Sequence, residues 1–160
     1  MPQRMSKNGL SLLKAWEGCV LHQYKDPAGL PSIGIGHLLT RAELASGKIV
    51  INGLPVKYTA GITTQQALDL LAQDLIPAER AVNTGVKVGL TQNQFDALTS
   101  FAFNAGDGAF AGSTLLRLLN QGQYSQVPAQ LMRWVHAGGE VCDVLKDRRA
   151  AEVKLWNGGV

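Results

Sequence analysis

Three helix-start signals constrain the fold of this chain more than any other feature. Each is a capping box, in which a threonine and a Glu or Gln three residues later satisfy each other's backbone N–H groups. The three boxes are Thr40 with Glu43, Thr63 with Gln66 and Thr91 with Gln94. Apolar residues recur at helical spacing after the second and third boxes. The sequence therefore predicts a mainly helical protein.

The apolar spacing continues in the C-terminal half. It predicts further helices over residues 114–121, 127–137 and 142–156. The glycines expected to end helices are Gly106, Gly122, Gly138, Gly139 and Gly158. No internal repeat or low-complexity tract interrupts this pattern.

Two short regions favour β-hairpins instead. Residues 21–25 and 32–35 have the pattern of strands, and the Asp26–Gly29 segment between them suits a type I turn. Residues 49–56 form a second candidate hairpin, in which Asn52-Gly53 supplies the positive φ of a primed turn. The fold class is therefore mainly α (α+β), with a small early β region. A cleft between that region and the helices would be the natural place for a site.

The composition indicates one globular domain, since 46% of the 160 residues are hydrophobic and only 17% are charged. No segment approaches the roughly 20 apolar residues that cross a bilayer, and the N-terminus lacks the apolar region of a secretory signal. We therefore expect neither membrane insertion nor a signal. A net charge of +3 suits an acidic partner as well as it suits ordinary surface charge. The basic residues are scattered, which disfavours nucleic acid.

Signals for a cofactor or a metal are weak. Cys19 and Cys142 make neither a disulfide framework nor a metal site, which favours small buried apolar roles. Gly34 and Gly36 lack the third glycine of a dinucleotide fingerprint. His37 has no second ligand at metal spacing and is interpreted as a hydrogen-bonded turn histidine. We expect no cofactor and no metal.

The early segment carries groups that can break a glycosidic bond. Glu17 ends the first helical pattern at the border of its apolar stripe, where partial desolvation favours a protonated acid. A surface glutamate at a helix end is the alternative. Asp26 opens a turn whose hydrogen bonds keep a carboxylate ionised, although turns use Asp for structural reasons too. Ser32 adds a hydroxyl that is otherwise ordinary near a turn. A proton donor, a carboxylate and a hydroxyl are the equipment of glycoside hydrolysis.

Taken in order, these residues resemble a known family. The run Glu17-Gly18, Tyr24-Lys25-Asp26 and residues 32–40 closely resembles the phage lysozymes of the type made by bacteriophage T4, glycoside hydrolase family 24. Phe103-Asn104-Ala105-Gly106 is similar to the family's cleft-lining helix end, and the likeness returns at Asp147-Arg148-Arg149. The resemblance covers most of the chain and is least clear over residues 41–77.

The resemblance implies a role for each of seven residues. The catalytic set would be the acid Glu17, with Asp26 and Ser32 to hold and activate water. The set for substrate binding or support would be Arg148, paired with Glu17, together with His37, Leu38 and Phe103. Of these, Leu38 and Phe103 would line the sugar cleft. Ser32 departs from the family's threonine: it keeps the hydroxyl but lacks the methyl group that restricts χ1.

The resemblance also implies an architecture and an activity. We expect a lysozyme-like fold with a small lobe over about 18–62, a connecting helix over about 63–82 and a helical lobe over about 83–160 that includes the N-terminal helix. The activity would be inverting hydrolysis of the β-1,4 bond between N-acetylmuramic acid and N-acetylglucosamine in bacterial peptidoglycan. A lytic transglycosylase and a catalytically degenerate wall-binding or virion module are the alternatives, and Asp26 disfavours both.

The same resemblance implies how such an enzyme would work in a cell. The protein would be a monomer without cofactors that binds peptidoglycan. It would remain in the host cytoplasm until a separate pore-forming holin gave it access to the wall.

Overall fold

All three capping boxes start helices at the predicted positions in the computed structural model, which describes residues 2–159. In each box the threonine side chain accepts a hydrogen bond from the backbone N–H three residues on, and the Glu or Gln side chain bonds back. The helices are α1 (Lys7–Glu17), α2 (Arg41–Ser46), α3 (Thr64–Asp74), α4 (Ile76–Gly85), α5 (Gln92–Ala105), α6 (Asp107–Ala111), α7 (Thr114–Asn120), α8 (Val127–Leu131) and α9 (Asp143–Trp156). The strands are β1 (Val20–Lys25), β2 (Pro31–Gly34), β3 (His37–Leu38), β4 (Lys48–Ile51), β5 (Leu54–Lys57), β6 (His136–Ala137) and β7 (Glu140–Val141). The mainly α (α+β) fold class is confirmed.

Packing divides the chain into two compact units. The hairpin unit is residues 10–76, and the helical unit comprises the residues up to Gly9 and those from Pro77 onward. The lobe limits expected from the sequence, 18–62 and 83–160, stay a prediction.

The hairpin unit contains two small antiparallel sheets and helix α3. Strands β1, β2 and β3 form one sheet in that order, and β4 pairs with β5 through Asn52-Gly53, both at positive φ. Both predicted hairpins are thus confirmed. Helix α3 packs against β2 through close contact of Ala67 with Gly34. The buried apolar residues of this unit include Leu13, Ile33, Ile35, Ile49, Ile51, Leu70 and Leu71.

The helical unit is built around α5. Residues 95–102 of this helix are all buried, because neighbouring elements such as α9 and α6 cover it. Buried carboxylates also tie the first residues of the chain to this unit. Glu79 accepts the Met5 N–H at 2.7 Å, and Asp96 accepts the Ser6 N–H at 3.0 Å. The core includes Phe95, Phe101, Phe110, Leu115, Leu119, Leu131 and Leu155.

The helix predicted over 127–137 was wrong in its second half. Helix α8 stops at Leu131, and residues 136–141 form a two-stranded hairpin, β6–β7. Gly138 and Gly139 both have positive φ, 59° and 83°. Two consecutive glycines suit a primed hairpin turn, and this turn prevails over the helical apolar spacing.

The expected connecting helix over 63–82 is divided into α3 and α4. Pro77 has no N–H and cannot donate to the carbonyl of Gln73, so the helical ladder is interrupted there. The last helix, predicted over 142–156, is confirmed as α9.

Cys19 and Cys142 are free thiols and are half-buried, not buried as predicted, because each lies beside the end of a helix. Within residues 2–159, no helix combines the length and apolarity needed to span a bilayer.

Candidate active site

Glu17 is the last residue of α1, as the sequence predicted. The helix ends there because Gly18 takes a positive φ of 75°, and its N–H closes the last turn on the Lys14 carbonyl at 2.9 Å. The half-buried Glu17 carboxylate lies against Gly36, in the turn between β2 and β3. A Cβ added to Gly36 would stand 3.3 Å from the Glu17 Oε2 atom. The absent side chain of Gly36 therefore leaves room for the carboxylate.

Asp26 occupies the turn that follows β1. The Gly29 N–H donates to the Asp26 carbonyl at 2.8 Å, and the Leu30 N–H donates to the Asp26 Oδ1 atom at 2.8 Å. The predicted turn is confirmed, together with the backbone hydrogen bond expected for the carboxylate. This bond fixes the direction of the half-buried carboxyl group.

The sheet places Tyr24, Ser32 and Leu38 side by side. Tyr24 is opposite Ser32 across β1 and β2, and Ser32 is opposite Leu38 across β2 and β3. Residues that are directly opposite in a sheet extend from the same face. Leu38 is about half exposed on that face, at 49%. The face therefore carries Tyr24, Ser32 and Leu38 next to one another, and Leu38 is the most exposed of the three.

Tyr24 links the two carboxylates electrostatically. Burial raises the pKa of the Tyr24 phenol, and the negative charges of Glu17 and Asp26 raise that pKa further. Both carboxylates therefore act on the same phenol. Sequence reasoning quoted Tyr24 only as part of a motif and did not assign it to the site. Its position two residues before Asp26 in a strand was the available signal.

Ser32, whose hydroxyl is expected to hold water, is buried. The residue is only 3% exposed, and its hydroxyl donates to the Leu30 carbonyl at 3.3 Å. Its role in holding water stays a prediction.

His37 is a hydrogen-bonded histidine, as predicted. Its Nδ1 atom lies 2.7 Å from the Asp74 Oδ2 atom and its Nε2 atom 2.9 Å from the Glu43 Oε1 atom. Burial alone would lower the pKa of His37, but hydrogen bonds and charges from Asp74 and Glu43 raise it to about 9. Because both ring nitrogens are engaged, His37 supports the structure by joining the start of α2 to the end of α3.

The remaining predicted residues lie in the helical unit. Arg148 on α9 is buried, and its Nε atom is 3.6 Å from the Glu152 Oε2 atom. Phe103 is half-buried near the end of α5. The Arg148–Glu17 pair and the cleft-lining roles of Leu38 and Phe103 stay predictions.

One polar group in the helical unit was missed by sequence reasoning. Arg149, the neighbour of Arg148, pairs with Glu152 at 2.7 Å and donates to the Asn104 Oδ1 atom at 2.7 Å. Spacing alone could not choose between the arginines, because Glu152 is four residues after Arg148 and three after Arg149, and both separations bring side chains together on a helix.

Comparison with known proteins identifies the family. The profile of the phage lysozyme family matches residues 14–152. The endolysin of Salmonella phage P22 is 40% identical over 153 residues, which cover 96% of this chain and 97% of that protein. The endolysin of Bacillus phage PZA is 39% identical over 161 residues, covering 98% of this chain, which spans only 56% of that protein's length.

A solved structure agrees with the sequence relatives. The muramidase domain of SpmX from Asticaccaulis excentricus matches with a TM-score of 0.78 and 34% identity, covering 96% of this chain and 97% of that one. This match confirms the lysozyme-like fold. By both family profile and relatives, the chain belongs to the phage lysozyme family.

Proposed function

We propose that this chain is a muramidase that hydrolyses the β-1,4 bond between N-acetylmuramic acid and N-acetylglucosamine in peptidoglycan. Family membership supports the substrate and the reaction class. The observation that supports the assignment of residues is the placement of two half-buried carboxylates on different elements: Glu17 at the end of α1 against Gly36, and Asp26 in the turn after β1, where the Leu30 N–H holds it. Glycosidases of this kind need one carboxyl group to donate a proton and one to act on the opposite side of the sugar.

The proposed reaction is a single displacement. Glu17 donates its proton to the glycosidic oxygen as the bond to the anomeric carbon breaks. Asp26 accepts a proton from a water molecule, whose oxygen forms the new bond to that carbon. The Ser32 hydroxyl is the second anchor of this water. Such an inverting arrangement requires the two carboxyl groups to be roughly 6.5–9.5 Å apart.

The supporting residues fit the same proposal. Arg148 pairs with Glu17, so its charge balances the tendency of burial to keep the acid protonated. Leu38 and Phe103 contact the sugar, and His37 holds the segment between β2 and α2 through Asp74 and Glu43. We further propose that the protein acts as a monomer and reaches the wall from the host cytoplasm with the help of a separate holin.

Two amide substitutions test the catalytic assignment. Glu17→Gln keeps the shape of the side chain but cannot donate a proton, so wall lysis should fall by about 100-fold or more. Asp26→Asn should be severely impaired as well. Glu140→Gln, at an exposed strand position, is the matched control and should keep wild-type activity. A folded Glu17→Gln enzyme with more than about a tenth of wild-type activity would show that Glu17 is not the acid.

Product analysis tests the reaction class. Mass spectrometry of digested peptidoglycan should find reducing sugar ends, and NMR of the first product should find the α anomer. Anhydro ends would mean a lytic transglycosylase. A β anomer would mean a retaining enzyme, and binding without cleavage would mean a wall-binding module.

A further inference from the structure

The chain contains three Asn-Gly sequences, at Asn8-Gly9, Asn52-Gly53 and Asn157-Gly158. In such a sequence the backbone nitrogen of the glycine can attack the side-chain amide carbon of the asparagine, because a glycine has no Cβ to shield its own backbone. The nitrogen must first lose its proton, so a glycine N–H that is held in a hydrogen bond is protected. The fold therefore determines which of the three sequences can react.

The glycine N–H is held at two of the three sequences. Gly9 is buried in the first turn of α1, and its N–H donates to the Ser6 Oγ atom at 3.1 Å. Gly158 follows the end of α9, and its N–H donates to the Leu155 carbonyl at 3.0 Å. Neither nitrogen can attack without first breaking a hydrogen bond.

Gly53 differs from the other two glycines. It is the second residue of the β4–β5 turn, in which the exposed Asn52 and Gly53 take φ values of 53° and 78°. Within residues 2–159 the Gly53 N–H has no hydrogen-bond acceptor in the protein. A Cβ added to Gly53 would meet no atom within 4 Å, so water has free access to this part of the turn.

A carboxylate on α3 holds the side chain that would be attacked. The Asn52 Nδ2 atom donates to the Asp69 Oδ2 atom at 3.1 Å, and the Gln65 Nε2 atom donates to the Asp69 Oδ1 atom at 2.9 Å. Gln65 thus helps to fix the half-buried Asp69 carboxylate beside the turn. The leaving nitrogen needs an additional proton, which an ionised carboxylate cannot supply. The Asn52 amide must therefore leave Asp69 before it can react.

We propose that Asn52 is a site of spontaneous deamidation and that Asp69 slows the reaction. The Gly53 nitrogen gives its proton to hydroxide and forms a bond to the Asn52 Cγ atom. The bond from Cγ to Nδ2 breaks, and Nδ2 takes a proton from water and leaves as ammonia. Water then adds to one of the two carbonyl carbons of the resulting succinimide and breaks its bond to nitrogen. The product is aspartate or isoaspartate at position 52.

Both products weaken the hairpin unit. Aspartate replaces the amide donor with a second carboxylate facing Asp69, and like charges repel. Isoaspartate adds a carbon atom to the backbone of a two-residue turn, and the length of that turn sets the register of β4 against β5. Strand β4 contributes Ile49 and Ile51 to the core, so a change in register reaches the interior.

Peptide mapping of aged protein tests the site. The three sequences lie on different tryptic peptides, residues 8–14, 49–57 and 155–160. After incubation of the native protein in mildly alkaline buffer, only the 49–57 peptide should contain the acid, and isoaspartyl methyltransferase should label it. Protein aged in urea should lose this selectivity, because unfolding frees all three glycine N–H groups. Conversion of native Asn8 or Asn157 as fast as Asn52, or no conversion at Asn52, would overturn the proposal.

Substitutions at Asp69 test its protective role. Asp69→Ala should speed conversion of Asn52 about fivefold, as expected for the loss of one hydrogen bond. Asp69→Asn keeps the shape and one acceptor oxygen, so its rate should lie between those of Asp69→Ala and wild type. Asn52→Gly tolerates the positive φ but has no amide, and its 49–57 peptide should stay unchanged. An Asp69→Ala protein that converts no faster than wild type would show that Asp69 does not protect the turn.

Urea unfolding tests the consequence for the hairpin unit. Ion exchange separates the isoaspartate form from fresh protein, and its unfolding midpoint should be lower than that of fresh protein. The midpoint of Asn52→Asp should fall between the two, because it adds the charge but keeps the normal backbone. The midpoint of Asn52→Gly should not change on ageing. An isoaspartate form that unfolds at the same urea concentration as fresh protein would contradict the proposed loss of stability.

Discussion

Two polar networks, one in each compact unit, are both built around a cation, but they differ in depth and in how readily that cation can lose its proton. In the hairpin unit, His37 bonds to Asp74 and Glu43, and the three side chains are 12%, 23% and 18% exposed. In the helical unit, Arg149 and Glu152 are almost completely excluded from water. An imidazole titrates within the range of ordinary buffers, whereas a guanidinium does not. The hairpin network should therefore respond to pH, and the helical network only to mutation.

The largest effect is expected from breaking the buried pair. Arg149→Met removes the closer of the two arginines beside the buried Glu152 carboxylate and leaves only Arg148, whose Nε atom is 3.6 Å away. Breaking a buried pair in this way typically costs about 3–5 kcal/mol of the free energy of unfolding. Burial raises the pKa of Glu152 and lowers the pKa of Arg149, and the attraction between the two charges opposes both shifts. Urea unfolding at neutral pH measures the loss.

A double variant separates pairing from packing. Replacing both charges, as Arg149→Met with Glu152→Leu, removes the buried carboxylate together with its closer partner. This should recover most of the lost stability, because buried ion pairs are often no better than apolar residues of similar size. A double variant as unstable as Arg149→Met alone would mean that shape, not charge, makes this region depend on Arg149.

Sequence reasoning was most successful where interactions are local. The capping boxes at Thr40, Thr63 and Thr91 and the Asn52-Gly53 turn depend on residues a few positions apart, and all of them formed as predicted. The end of α1 at Glu17 was predicted from local pattern in the same way. These features can be found from a single sequence because their partners lie within one turn.

The sequence predictions were wrong or incomplete where distant residues or competing local signals determine the structure. The prediction of a helix over 127–137 was wrong in its second half because an apolar repeat and a glycine turn overlap there. Periodicity alone does not tell which of the two signals determines the backbone conformation. The Arg149 network joins residues 100, 104, 149 and 152, so the partners of Arg149 on α5 cannot be read from spacing. The burial of Ser32 likewise depends on how β2 is covered.

The stability that the hairpin network contributes should depend on pH. The pKa of His37 is near 6.5 in an unfolded chain and about 9 in the fold, so the network contributes its full stability below pH 6.5. That contribution should disappear as the pH rises through 9. Because the partners are partly exposed, we expect a loss of about 1–2 kcal/mol, less than the full shift would give.

Unfolding curves between pH 6 and pH 10 check this expectation. His37→Gln should be less stable than wild type at pH 6 and nearly equal to it at pH 10, with a flatter dependence between. Arg149→Met should keep the wild-type pH dependence, which sharpens the contrast between the two networks. A His37→Gln protein whose stability falls as steeply as wild type from pH 6.5 to 9 would assign the titration to another group.

The smallest expected effect is an energetic coupling between the hairpin network and the helix cap beside it. Glu43 Oε1 accepts from the Thr40 N–H at 2.9 Å and also lies 2.9 Å from His37, so one carboxylate serves both the capping box and the histidine. In the Thr91 box, Gln94 Oε1 accepts from the Thr91 N–H and has no such second partner in residues 2–159. Thr40→Ala and Thr91→Ala should each cost about 1 kcal/mol through the lost cap.

The two caps should differ once each is combined with His37→Gln. Thr40→Ala loosens the box that holds Glu43 toward His37, so its cost should depend on whether the histidine is present, with an interaction energy of about 0.5 kcal/mol or more at pH 6. Thr91→Ala with His37→Gln should be additive, because the two sites share no group. At pH 10, where His37 is uncharged, the interaction at Thr40 should shrink. Additivity at Thr40 at both pH values would confine the network to the His37–Asp74 pair and leave the α2 cap an ordinary one.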